Sequence, residues 1–272
     1  MNGQKIVTFT PAGRKRYLEI LVEYLWNNRG VIDHHEFWIN VPNENVEDRA
    51  FILGLCNMYP TMFKAVEVDT PGMKIDAYRI AQFYKTMEPD TMYIRLDDDI
   101  VYIEEGALLK LIDARQRNQN PYLVFPTIVN NSIIAYHLQN CGYLSFNPKL
   151  DGTNVLNFAW ENAQFAEDIH ERFLRDLDAG NKWRLSNDVR LDNYVRVSIN
   201  SFAFYGRDIL PFKDEIHDEE QFLSVDLPKR LSRPNLIIPD ALISHFSYYT
   251  QREYLDKTGL LERYRHLALR GL

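Results

Sequence analysis

The sequence predicts an α/β fold, a mostly parallel central sheet flanked by helices in a single domain, and three observations carry that expectation. Short apolar runs alternate with segments of helical periodicity, each apolar run ends in polar residues, and one of them closes on three consecutive aspartates, Asp97-Asp98-Asp99. Strands separated by helices pair in parallel because the crossover returns the chain to the same end of the sheet, and such sheets bind ligands at the carboxyl ends of their strands.

Residues 5–10 read as the first strand, Pro11-Ala12-Gly13 breaks it, and Tyr17, Leu18, Leu21, Val22 and Leu25 then repeat at helical spacing. A second strand covers 36–41 and ends in the turn-prone Pro42-Asn43-Glu44-Asn45; a third covers 63–68 and ends in Asp69. Pro71-Gly72 leads into a helix over 74–87, and 91–96 supplies the strand that delivers the aspartates. The resulting β-α-β-α-β order sets Thr10, Asn40, Asp69 and Asp97 at strand ends, where ligands bind. Beyond the triplet the pattern predicts a helix at 105–117, a strand at 122–126, a helical region at 157–177 and a strand at 195–205. An acidic stretch and a helix follow within 209–230, and an apolar segment at 236–244 runs into His245. Residues 252–270 read as a helix packed on its own domain, with any membrane contact peripheral.

Composition bounds the chemistry. With 272 residues, 46% hydrophobic and 25% charged, the chain can bury a substantial core. Its net charge of −7 supplies no positive field for phosphate backbones, so general nucleic-acid binding is not expected. Cys56 and Cys141 stand far apart without metal-ligand spacing, so neither a zinc site nor a disulfide framework is indicated, which fits a reducing, cytoplasmic setting. No signal-peptide pattern and no membrane-length apolar stretch is read from the sequence.

The aspartates ask for a cation. If the extended conformation continues through the run, Asp97 and Asp99 share one face and Asp98 points to the other. Two like charges about 4 Å apart repel by roughly 4 kcal/mol at surface dielectric, so the cluster stays wet, takes up protons or binds a metal. An oxygen-only ligand set favours Mg²⁺ or Mn²⁺. Lys74, near a helix start, and Arg14, beside Gly13, are cations suited to a diphosphate or simply to solvent.

With the Thr10-Pro11-Ala12-Gly13-Arg14 loop, the segment 72–79, Leu96-Asp97-Asp98-Asp99, Asp218-Glu219-Glu220 and His245 in this order, the chain resembles the GT-A fold glycosyltransferases, most of all the large inverting, family-2-like group. The resemblance implies a nucleotide diphosphate sugar donor and a hydroxyl acceptor on a glycan, a lipid-linked sugar or another molecule. It matches the aspartates to the family's Asp-x-Asp motif, with Asp99 a direct metal ligand and Asp97 sharing the metal or facing the ribose. Thr10, Arg14, Asp69, Lys74, Asp97 and Asp98 would surround the nucleotide, in a half spanning about 1–103, with about 104–272 left for the acceptor. Segment 72–79 resembles the family's Gly-x-x-x-Ala-Arg-Asn stretch, with Arg79 displaced by one and no Asn. Residues 219–224 resemble Glu-Asp-x-x-Leu-Ser, which implies Glu220 as the base and Glu219 as its neighbour. His245 would complete the metal shell, and its imidazole tilts the choice toward Mn²⁺.

Two other classes share these features. A sugar nucleotidyltransferase opens with a glycine-rich basic loop, of which this chain has a single glycine, and a non-catalytic nucleotide- or carbohydrate-binding protein would keep the fold without turnover. Among the aromatics Tyr136, Tyr143, Phe146, Trp160, Trp183 and Tyr205, most belong to a core, with Trp160 and Trp183 the first candidates for a sugar platform.

Overall fold

The computed structural model describes residues 3–40, 45–70 and 77–270. Among the described residues nine strands form one sheet: β1 (Ile6–Ala12), β2 (His34–Ile39), β3 (Phe63–Val66), β4 (Met92–Leu96), β5 (Ile100–Ile103), β6 (Val124–Val129), β7 (Val189–Leu191), β8 (Ser201–Tyr205) and β9 (Asn235–His245). Their order is β3-β2-β1-β4-β8-β6-β9-β5, with β7 on the first half of β9. Following the pairings across the sheet, β1, β2, β3, β4, β6 and β9 run one way while β5, β7 and β8 run the other, so the sheet is mostly parallel as expected. The carboxyl ends of β1, β4, β6 and β9 therefore lie along one edge.

Local chemistry explains the elements nearest that edge. Pro11 sits inside β1, which pairs with β2 through Ala12 but with β4 only as far as Phe9, so its missing N–H leaves no ladder bond broken on the β4 side. The helix Lys15–Asn27 buries Tyr17, Leu18, Leu21 and Leu25 of the expected stripe, leaves Val22 half-buried, and packs on β5. Under the parallel half, Phe9 stacks on Trp38 with centroids 4.1 Å apart, and Trp38 on Phe83 at 5.3 Å. At the end of β8, a Cβ on Gly206 would lie 2.1 Å from the carbonyl oxygen of Glu88, so only glycine permits that close approach.

Several boundaries differ from the expectation. β1 runs two residues past Thr10, and β3 stops at Val66 rather than 68. The helix expected at 74–87 appears as Ala77–Phe83 followed by a 3₁₀ turn, Tyr84–Thr86; Gly72 and Lys74 lie outside the described residues, as do Pro42, Asn43 and Glu44. The region 157–177 divides into Phe158–Glu161 and Ala163–Asp178, because Asn157 and Asn162 each turn a side-chain oxygen to cap the helix that follows. Of 195–205 only Ser201–Tyr205 is strand, and 252–270 forms two helices, Tyr249–Leu255 and Leu260–Arg270. The helices Val46–Met58 and Ser132–Asn140 and the strands β5 and β7 had no counterpart in the sequence reading.

Candidate functional site

The aspartates leave β4 in a turn, not as extended chain: the Ile100 N–H donates to the Asp97 carbonyl at 3.1 Å, and β5 starts at once. The turn, and not strand alternation, separates the three carboxylates. Asp98 swings toward the loop after β1, accepting from the Gly13 N–H at 3.1 Å and from Arg14 Nε at 3.0 Å, with Arg14 Nη2 closing the pair. Asp97 faces the opposite side, held by Arg95 Nε at 3.0 Å and by the Asn200 amide at 3.2 Å. Asn131, the cap of Ser132–Asn140, bonds in turn to Asn200 at 2.9 Å, so Asp97 is oriented by a relay of amides.

Asp99 lies between them, 1% exposed. Arg14 Nη1 stands 3.1 Å from its Oδ2 and Arg252 Nη2 at 3.9 Å, but neither is aligned as a hydrogen bond, and both carboxylate oxygens remain without a hydrogen-bond partner. Burial pushes this carboxyl up, yet Arg14, His245 and Arg252 together hold it below the usual carboxylate range. His245, the last residue of β9, faces it with Nε2 3.4 Å from Asp99 Oδ1. Its Nδ1 lies 3.1 Å from the carbonyl of Asn130, a residue in the left-handed region at φ 58°. A carbonyl only accepts, so Nδ1 is the donor there, and Nε2 is the ring nitrogen turned toward Asp99. Asp97, Asp99 and His245 each offer a ligand atom, all within 4.8 Å of one another.

Asp97 lines a cleft of about 390 Å³ together with Arg95, Arg196, Ile199, Asp218, Glu219 and Glu220. Glu219 is buried and bound on one oxygen by the Tyr84 hydroxyl at 2.6 Å and by Arg95 Nη1. Arg95 thus ties Asp97 on the sheet to the helix carrying the two glutamates. Glu220 accepts from Arg196 Nε at 2.8 Å, while Asp218, which caps the helix, takes Nη1 and Nη2 at 3.1 and 3.2 Å. Burial raises both glutamates above the usual range, against the pull of Arg95 on one and Arg196 on the other. The helix then widens into a π turn, Phe222–Asp226. Pro228 has no N–H for the Ser224 carbonyl four residues back, and the Asn235 amide takes that carbonyl at 2.8 Å.

The structure thus brings Asp97, Asp98, Asp99, Arg14, Glu219, Glu220 and His245 to one edge, with Asp98 and Arg14 spent on each other. Thr10 is not at the strand end: it is fully buried within β1, its hydroxyl unpartnered. Asp69 is exposed beyond β3, a strand that lies three positions, about 14 Å, across the sheet from β4. Trp183 is 1% exposed and packed on Tyr143 and Phe173, which makes it core and no platform; Trp160 is half-buried at the surface. Sequence reasoning missed Arg95, Arg196, Arg252, Asn130 and Asn200. A charged residue inside an apolar strand was a readable signal for Arg95; the others act across distances in the chain that no local pattern encodes.

Six carboxylates here, Asp97, Asp98, Asp99, Asp218, Glu219 and Glu220, meet four guanidiniums, Arg14, Arg95, Arg196 and Arg252, leaving two negative charges when all are ionised. A buried carboxylate without a hydrogen bond is costly. The orphaned oxygens of Asp99, the inward Nε2 of His245 and that charge deficit fit a divalent cation.

No protein-family model matches the sequence, and no curated protein matches it. Solved structures do. A mycobacterial protein aligns over 98% of this chain and 74% of its own at 11% identity with a TM-score of 0.50. A 4-diphosphocytidyl-2C-methyl-D-erythritol synthase aligns over 96% and 100% at 12% identity, TM-score 0.49. Glucosyl-3-phosphoglycerate synthase from Mycobacterium tuberculosis, in complex with Mn²⁺, UDP-glucose and phosphoglyceric acid, aligns over 46% and 44% at 13% identity, TM-score 0.36. At such identities the likeness is one of fold, and function rests on the residues of the site.

Proposed function

We propose that this protein is a metal-dependent glycosyltransferase that moves a sugar from a nucleotide diphosphate sugar to an acceptor hydroxyl with inversion. The observation that carries the reading is the convergence of Asp97, Asp99 and His245 at the carboxyl edge of a mostly parallel sheet, with the Asp99 oxygens lacking hydrogen bonds. Asp97, Asp99 and His245 would hold the cation, Mn²⁺ or Mg²⁺, which when bound would neutralise charge on the leaving diphosphate. Arg252, whose buried Nε lacks a hydrogen-bond partner, offers a further positive group beside it.

Glu220 serves as base. It lines the cleft beside Asp97, whereas Glu219 is locked under Tyr84 and Arg95 and positions the helix. As the acceptor oxygen bonds to the anomeric carbon and the bond from that carbon to the diphosphate breaks, the hydroxyl proton passes to Glu220, whose raised basicity suits the task. Arg196 then stabilises the site as Glu220 cycles between its two protonation states. The nucleotidyltransferase reading is weaker because Arg14, the cation of the first loop, is engaged by Asp98 and Asp99 and is not presented to a triphosphate.

Thermal unfolding against nucleoside diphosphates and their sugars, with and without Mn²⁺, tests this. One nucleotide at a hundred times its Kd stabilises by about 2.7 kcal/mol, and the shift should require metal and vanish in Asp99→Asn. A shift with a nucleoside triphosphate alone, or none with any diphosphate, would overturn the proposal.

A further inference from the structure

Asp97 and Glu220 line the same cleft of about 390 Å³, so whatever fills it lies between the candidate cation site and the base, where an attacking hydroxyl has to be. That volume is near the lower end of the roughly 300–1,000 Å³ of small-molecule sites, enough for a single ring with its linkage.

The wall is built to accept hydrogen bonds. Arg95 gives Nε to Asp97 at 3.0 Å and Nη1 to Glu219 and the Tyr84 hydroxyl. Arg196 gives Nε to Glu220 at 2.8 Å and its two Nη groups to Asp218 at 3.1 and 3.2 Å. Both guanidiniums are thereby spent on the acids of their own wall. An ionised carboxylate has roughly four acceptor sites, and these acids keep some of theirs. Asp97 receives Arg95 and the Asn200 amide, Glu219 receives Tyr84 and Arg95, and Glu220 receives Arg196 and the Ile199 N–H. Ile80 and Ile199 complete the lining with apolar surface, a counterpart for the C–H face of a ring whose hydroxyls reach the acids.

We infer that this cleft is the acceptor subsite and that it takes an uncharged polyhydroxy ring, a neutral sugar, to the exclusion of rings that carry phosphate or carboxylate. The inference rests on the glycosyl-transfer reading and names its second substrate class. An anion here would meet four carboxylates against two guanidiniums already engaged, and three even with Asp97 given to the cation. A hydroxyl, by contrast, donates to any of those acids. An ammonium group fits less well than a hydroxyl, because an ion pair with Glu220 would lower the basicity that the transfer needs.

The test is ligand-observed NMR of the whole protein with Mg²⁺ and a mixture of nucleoside diphosphates. The ligands are methyl glycosides of common hexoses and N-acetylhexosamines, each paired with its phosphorylated, uronic acid and amino counterparts. At least one neutral ring should bind, its two acidic counterparts should bind about tenfold more weakly or worse at low salt, and the gap should narrow as salt screens the wall. Asp218→Asn removes one carboxylate and keeps a good helix cap, so it should hold its melting temperature and cut the preference about threefold. The salt series reads the same charge without any substitution. An acidic counterpart bound as well as its neutral parent, an amino sugar preferred over the neutral one, or a preference untouched by salt and by Asp218→Asn would overturn the inference. A metal-dependent nucleotide shift with no ring bound would also overturn it and leave the transferase standing, whereas a neutral ring bound with no nucleotide shift would do the reverse.

Discussion

Replacing Arg95 by Met tests whether the acidic edge is held together by one buried cation. Arg95 is 5% exposed on β4 and touches Asp97, Tyr84 and Glu219. Its loss strands the Glu219 carboxylate, which has only the Tyr84 hydroxyl left, in a site where burial already raises its pKa. Breaking a buried pair by removing one partner costs about 3–5 kcal/mol, most of it the desolvation of the charge left behind. For a chain of this size that lowers the melting temperature by on the order of 10 °C. Two corollaries follow from the same charge. Arg95→Met/Glu219→Gln, which removes the buried charge and leaves only the part-exposed Asp97 without its arginine, should recover more than half of the loss. And because the raised pKa makes the folded state of Arg95→Met bind a proton that the unfolded state releases, its deficit should shrink as pH falls toward the ordinary carboxylate range. Urea unfolding of the four proteins of this double-mutant cycle at pH 7 and at pH 5 gives both numbers. If the two substitutions add within about 0.5 kcal/mol, Arg95 and Glu219 are independent and the reasoning is wrong.

Glu220→Gln keeps an oxygen for Arg196 but removes the base, so transfer should fall by about 10²–10⁴-fold with the metal-dependent nucleotide shift intact; equal loss of both would remove the division of labour between Glu220 and the cluster. His35 and His170 are buried, and burial pushes them down from the ordinary 6.5 to about 3 and about 4. The unfolded chain takes up these protons below 6.5 and the folded chain does not, so the stability they support is complete above that value and falls by about 2 kcal/mol for each at pH 5. An NMR titration in which either ring protonates near its ordinary value would refute this.

The fold was legible where periodicity and position agreed. Apolar runs at β1, β2, β4 and β9, and the helical stripe of Tyr17, Leu18, Leu21 and Leu25, follow from solvent partition alone. The helix Val46–Met58 was not, because it buries only Ile52 fully and shows no stripe; its start is set by Asn45, which caps the Asp48 N–H, and by Glu47 and Asp48 in the first turn. β5 and β7 are too short to carry a period, and their places are fixed by pairing with β9, a partner more than forty residues away in each case.

The site divides along the same line, and the division has a physical cause. The places of Asp97 and His245 were readable because one follows and the other ends an apolar strand, and parallel strands bring their ends to a common edge whatever the loops between them do, whereas Asp99 lies in the turn before β5. Strand alternation, however, was the wrong reason for expecting Asp97 and Asp99 to converge. The chain turns at Asp98, and it is Arg14 and Gly13 that draw Asp98 aside, while Arg95 and Asn200 hold Asp97 and the facing imidazole holds the geometry at Asp99. Like charges packed this closely persist only if each has its own counter-charge or donor, so the number of acids in a sequence motif implies cations elsewhere in the chain that the motif cannot locate. Here four arginines supply most of that compensation and leave Asp99 short. A cation site built this way is recognised less by the aspartates themselves than by which of their oxygens the rest of the protein leaves without a partner.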